Sequence, residues 1–134
     1  TPGRVPHMSI LNHVVLGTND LQKATQFYDA ALGALGIKNM GPMGESAVLY
    51  GDDHPEFLVT KPANGEPACY ANGGTIGFKA PTRDAVHKFH EQGLANGGTD
   101  EGEPGPRQFS PTAYAAYLRD PDGNKICTYC FAEE

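Results

Sequence analysis

The sequence repeats one unit. A β-branched and apolar run at 10–17, closed by Gly17-Thr18-Asn19, has the composition of a strand. From Asp20 the period changes, and Leu21, Ala24, Phe27, Ala31 and Leu32 fall on one helical stripe with Asp20 placed to cap it. Three short strands are expected after the helix, at about 36–41, 45–51 and 56–61, with Gly41-Pro42 and Asp52-Asp53-His54-Pro55 as turns. The second half restarts the pattern. Residues 75–80 read as a strand, Thr82 caps a helix with Val86, Phe89, His90 and Leu94 on its stripe, and 96–106 reads as loop around at most one short strand. Strands near 114–119 and 125–131 follow, joined by Asp120-Pro121-Asp122-Gly123, where proline's fixed φ suits a turn. Shifting the chain by 62 places Val14 on Ile76, Leu16 on Phe78, Phe27 on Phe89 and Leu32 on Leu94. A shift of 69 places Ala47 on Ala116, Leu49 on Leu118, Asp53 on Asp122 and Phe57 on Ile126. Strand, helix and final hairpin recur in order, which marks a duplication of a βαβββ unit.

Module one is therefore expected at about 9–61, a linker at 62–73 and module two at about 74–131, within one domain of 8–134. Residues 1–7 lack periodicity, precede Met8 and read as a vector-derived leader. Gly (17) and Pro (11) form about a fifth of the 134 residues, which suits many tight turns between short strands. No stretch approaches the roughly 20 apolar residues of a membrane span. A net charge of −6 without clustered cations disfavours nucleic acid. Three cysteines, an odd number, argue for a reducing, cytoplasmic setting. Cys127 and Cys130 form a C-x-x-C, but three residues apart on a strand they point to opposite faces, about 10 Å apart, too far for a disulfide.

Leu11-Asn12-His13-Val14-Val15-Leu16-Gly17, the Phe27-Tyr28 pair and Leu118-Arg119-Asp120-Pro121-Asp122-Gly123-Asn124-Lys125-Ile126 resemble the glyoxalase/bleomycin-resistance/extradiol-dioxygenase superfamily, the vicinal oxygen chelate fold. Pro104-Gly105-Pro106-Arg107 before Tyr114 is similar to one bacterial glyoxalase-like branch. The resemblance covers 9–131. It implies an α+β fold in which two tandem βαβββ modules form a curled mixed sheet, a cup, with helices outside and a ligand cavity within. It also implies a homodimer, in keeping with the open sheet edges that paired modules leave.

In the family's metal enzymes the ligands lie on the cavity face of the first and last strand of each module. The corresponding positions here are His13, Thr75, Leu58 and Cys127. Only His13 is an ordinary ligand, and a His–Cys pair falls short of the three protein ligands usual at catalytic zinc. Glu56 shares a strand face with Leu58 but lies one pitch further along. Asp52, Asp53 and His54 read as a solvated turn. The expectation is thus a protein without metal or other cofactor that binds a small, partly apolar or aromatic molecule. His13, Leu58, Thr75, Arg107, Tyr114 and Cys127 are the candidate contacts. Arg107 is placed to clamp a carboxylate through its fork, and only one of Tyr114 and Tyr117 can face the cavity. A metal-dependent lyase, isomerase, thiol transferase or dioxygenase using His13 is the alternative reading, and a structural or regulatory dimer module is a third.

Overall fold

A computed structural model describes residues 9–108 and 110–132; the expected leader lies outside them. Module one runs β1 (Val14–Gly17), α1 (Leu21–Gly33), β2 (Lys38–Met43), β3 (Ala47–Gly51) and β4 (Pro55–Thr60). Module two runs β5 (Ile76–Lys79), α2 (Arg83–Ala95), β6 (Thr99–Pro106), β7 (Tyr114–Arg119) and β8 (Lys125–Cys130). The sheets are four-stranded and mixed, ordered β1-β4-β3-β2 and β5-β8-β7-β6, with β1 parallel to β4 and β5 parallel to β8. The fold is α+β, two βαβββ modules, as the repeat requires. Both helices start on the expected caps: Asp20 accepts from the Lys23 amide and Thr82 from the Ala85 amide.

Three boundaries differ from expectation. β1 is short, because residues 10–13 are exposed and unpaired. Gly41-Pro42 lies inside β2 rather than in a turn, and β6 is an eight-residue strand where a loop with at most one short strand was expected. Both are edge strands, whose outer amides need no partner, so proline and glycine are tolerated there. Their ladders are also broken, between Asn39 and Gly41 and at Asp100, Gly102 and Gly105. Leu94 is exposed and Gly93 is buried in its place. A Cβ on Gly93 would stand 2.3 Å from Leu118 Cδ1, so α2 approaches β7 too closely for any side chain at that position.

Both sheets turn their helix-covered faces into one core. Phe27, Tyr28 and Leu32 of α1 and Val86 and Phe89 of α2 meet Val48, Tyr50, Phe57, Val59, Ala116, Leu118 and Ile126 there. Phe57 and Phe78 join the two sheets edge-to-face at 5.1 Å. The β7–β8 turn locks the modules together. Asp120, buried, accepts from the Tyr28 hydroxyl (2.6 Å), the Asn124 side-chain amide (2.9 Å) and the backbone amides of Asp122 and Asn124. Asp122 accepts from the Thr18 hydroxyl and the Asn19 amide, and Asn124 donates to the Gly17 carbonyl. Thus the turn that the sequence shows as a hairpin also seats the β1–α1 corner of the other module.

Candidate functional site

Strand alternation sends every second residue away from this core. On sheet one the outward set contains Val15, Leu49, Leu58 and Thr60, and Val15 is 45% exposed; His13 lies just before β1 and is exposed. On sheet two it contains Gly77 and Lys79 on β5, Lys125, Cys127 and Tyr129 on β8, and Tyr117 on β7, with the exposed Thr75 just before β5. The two faces differ in chemistry: sheet one is aliphatic, while sheet two carries aromatic rings and cations.

The four family ligand positions do not make a metal set. His13 is exposed, and its Nδ1 lies 2.7 Å from the Asn12 side-chain oxygen. Leu58 has no donor atom, and Thr75 is a neutral, exposed hydroxyl. Cys127 is buried, and desolvation pushes its thiol up to about 11. Glu56 is exposed, as are Asp52, Asp53 and His54 in the β3–β4 turn. Among the described residues no group of three His, Cys, Asp or Glu is arranged to hold a metal ion. At these four positions the side chains offer one imidazole, one hydroxyl and one thiol, and His13 is the one ordinary divalent ligand among them.

Two further candidates have other duties. The Arg107 guanidinium donates to the carbonyls of Glu103, Gly105 and Pro106, so its fork is spent on holding the end of β6. Tyr114 is the tyrosine that faces the helix. Its hydroxyl lies 2.6 Å from His87 Nε2, and the Arg83 guanidinium sits 4.8 Å over its ring. Tyr114 is thereby removed from the open face, and Tyr117 takes that place, because strand parity allows only one of the two. Cys127 and Cys130 lie on opposite faces of β8 and are not joined by a disulfide.

What the structure does bring together lies on sheet two. The Tyr117 and Tyr129 hydroxyls are 2.5 Å apart, and their rings meet edge-to-face at 5.9 Å. Burial, and then the bond to Tyr129, raise the Tyr117 phenol above the ordinary tyrosine range. Lys125 Nζ and the Arg107 guanidinium stand 5.4 and 5.6 Å from the Tyr117 ring centre. Tyr129 stacks on Phe131 with centroids 5.7 Å apart and an 18° angle between planes. Beside this stack is a depression of about 610 Å³ lined by Gly77, Phe78, Lys79, Ala80, Tyr129 and Phe131. It borders β5, an edge strand. Gly77 helps to open it: a Cβ there would sit 3.3 Å from Cys127 Sγ. None of His13, Leu58, Thr75, Arg107, Tyr114 and Cys127 lines it. Alternation and the β5–β8 pairing were the available signal for Gly77, Lys79 and Tyr129; nothing in the sequence placed Phe131, beyond the end of β8, against Tyr129.

A family model for the Glyoxalase/Bleomycin resistance protein/Dioxygenase superfamily matches residues 10–128. The chain is similar to a crystal structure of a glyoxalase/bleomycin resistance protein from Albidiferax ferrireducens T118, with 46% identity and a TM-score of 0.82 over 91% of this chain and 98% of that one. It shares its fold with a glyoxalase-related enzyme from Fulvimarina pelagi (16% identity, TM-score 0.70, 92% and 88% covered). It also shares it with lactoylglutathione lyase from Agrobacterium tumefaciens (22% identity, TM-score 0.63, 93% and 95% covered). No curated protein matches the sequence.

Proposed function

The chain belongs to the Glyoxalase/Bleomycin resistance protein/Dioxygenase superfamily, and from that premise we propose that it binds a small, partly apolar or aromatic organic molecule on the open face of its second sheet, without a metal. The observation that carries this reading is the depression of about 610 Å³ beside β5, bordered by the Tyr129 and Phe131 rings. Its size falls within the usual range of small-molecule pockets, and apolar walls with a few polar groups are their usual constitution. The residue types at the family positions support the metal-free part, since Leu58 has no donor atom and Thr75 offers only a neutral hydroxyl.

The test is a thermal-shift screen of metabolites and antibiotics together with metal analysis of the purified protein. A ligand at about 100 times its Kd stabilises the fold by about 2.7 kcal/mol, which for 134 residues is a rise in Tm of about 10 °C. Gly77→Leu, which fills the depression, and Tyr129→Ala, which removes a wall, should each abolish the shift, while His13→Ala should leave it intact. A shift lost in His13→Ala but kept in Gly77→Leu would move the site to sheet one. One equivalent of a divalent ion per chain, removed by chelator together with binding or turnover, would overturn the metal-free reading.

The same proposal includes a two-fold homodimer in the cytoplasm. Each sheet ends in two edge strands, β1 and β2 or β5 and β6, and exposed edges are ordinarily covered. Three free cysteines suit a reducing compartment. Light scattering that gives a monomer mass at micromolar concentration would overturn the dimer.

A further inference from the structure

We infer that the molecule taken by the sheet-two depression is a planar aromatic anion, its ring lying along Tyr129 and Phe131 and its acidic group on Lys79. This rests on the binding reading above and adds the ligand's charge and shape. The shape follows from the rings. Tyr129 and Phe131 are nearly parallel, and Phe131, though apolar, is 57% exposed. An aromatic guest can extend such a stack in an offset or edge-on arrangement, which aromatic pairs prefer. The Tyr129 hydroxyl is already bonded to Tyr117, so the tyrosine is fixed in place before a guest arrives.

The sign of the charge follows from what surrounds those rings. Among the described residues, the lining of the depression has a lysine and no carboxylate. Lys79 and Lys125, like Lys23 and Lys61, have no ion-pair partner among the described residues, and of these four lysines Lys79 lines the depression and Lys125 stands over the Tyr117 ring. Arg107 spends its hydrogen bonds on neutral carbonyls, so its charge also remains uncompensated beside Tyr117. Three cations thus collect around one aromatic cluster in a chain whose net charge is −6. A site of this kind attracts an anion, and it disfavours a cation of the same shape.

The experiment uses the full-length, ¹⁵N-labelled protein in its native assembly and three probes: 2-naphthoate, its neutral counterpart 2-naphthamide, and cyclohexanecarboxylate, an anion without an aromatic plane. We expect 2-naphthoate to shift the Gly77, Phe78 and Phe131 amide resonances and to bind at least tenfold more tightly than either other probe. Lys79→Met, at an exposed position that leaves the core untouched, should weaken 2-naphthoate about tenfold and leave 2-naphthamide unchanged. Lys79→Arg should restore the preference. Equal affinity for naphthoate and naphthamide, or an unaltered naphthoate affinity in Lys79→Met, would overturn the anion assignment while leaving the site in place. Cyclohexanecarboxylate binding as tightly as 2-naphthoate would overturn the aromatic half. If the shifts map to His13 and Val15, or if no probe moves the depression's amides, both this inference and the sheet-two site fall.

Discussion

Tyr28→Phe removes a single buried oxygen from the contact that ties the two modules together. The Tyr28 hydroxyl donates to Asp120 at 2.6 Å, and both residues are almost wholly enclosed. The phenylalanine ring would keep its edge-to-face contact with Phe27 at 4.9 Å and its packing on Phe57 at 5.1 Å, so the loss is confined to the hydrogen bond. A bond to a charged acceptor contributes about 1.5–3 kcal/mol. Asp120 keeps its Asn124 and Asp122 donors, so the expected loss is about 2 kcal/mol, toward the lower half of that range. An entropy of unfolding near 2.1 cal/mol/K per residue over 134 residues converts this to a fall in Tm of about 7 °C. In urea, with m near 1.5 kcal/mol/M, the midpoint should drop by about 1.3 M. The coupling is isolated by a double-mutant cycle with Asp120→Asn, which should give an interaction energy of at least about 1 kcal/mol. A Tyr28→Phe loss or a coupling energy under about 0.5 kcal/mol would refute the view that this contact joins the modules.

Three other predictions concern stability. The fold should weaken on the alkaline side: burial raises Tyr28, Tyr50 and Cys127, the last to about 11. A raised folded-state pKa gives stability that is complete below the unfolded pKa and lost as pH rises through the folded one. Urea midpoints should therefore decline from about pH 9 upward, more shallowly in Cys127→Ala, and a flat profile to pH 11 would contradict the burial. On the acid side, His90, 2.8 Å from Asp100, together with the Gly102 amide, holds that carboxyl below its usual range. The stability from this pair is present above the ordinary carboxylate pKa and lost as pH falls below it, so the acid decline should be shallower in His90→Ala, as measured by circular dichroism between pH 2 and 5. Finally, Gly98→Ala would set a Cβ 2.4 Å from the Phe27 ring and 2.9 Å from the Gly93 carbonyl. Overpacking against backbone should cost about 1–3 kcal/mol in a urea melt, and a neutral result would show that this junction yields.

The sequence by itself determined the duplication, because periodicity and capping are local: Asp20 and Thr82 cap the helices they were expected to cap, and Phe27 and Phe89 both reach the core. It also determined strand parity within β4 and β8, where Leu58 and Cys127 alternate with the core residues Phe57, Val59 and Ile126. It allowed at most one short strand where the eight-residue β6 lies and misplaced the end of β2, since glycine and proline read as turns unless one knows that the strand lies at a sheet edge. It left Tyr114 and Tyr117 undecided, because absolute facing is set by what packs on the sheet, here His87 and Arg83 of α2. Arg107 was read as a free clamp because nothing in the chain's spacing shows that β6 curls its own carbonyls around it. The depression was least legible of all. It exists because Gly77 on one strand, Tyr129 on its parallel neighbour and Phe131 beyond the strand end converge, and convergence of distant residues is a property of three-dimensional packing, which no local pattern encodes.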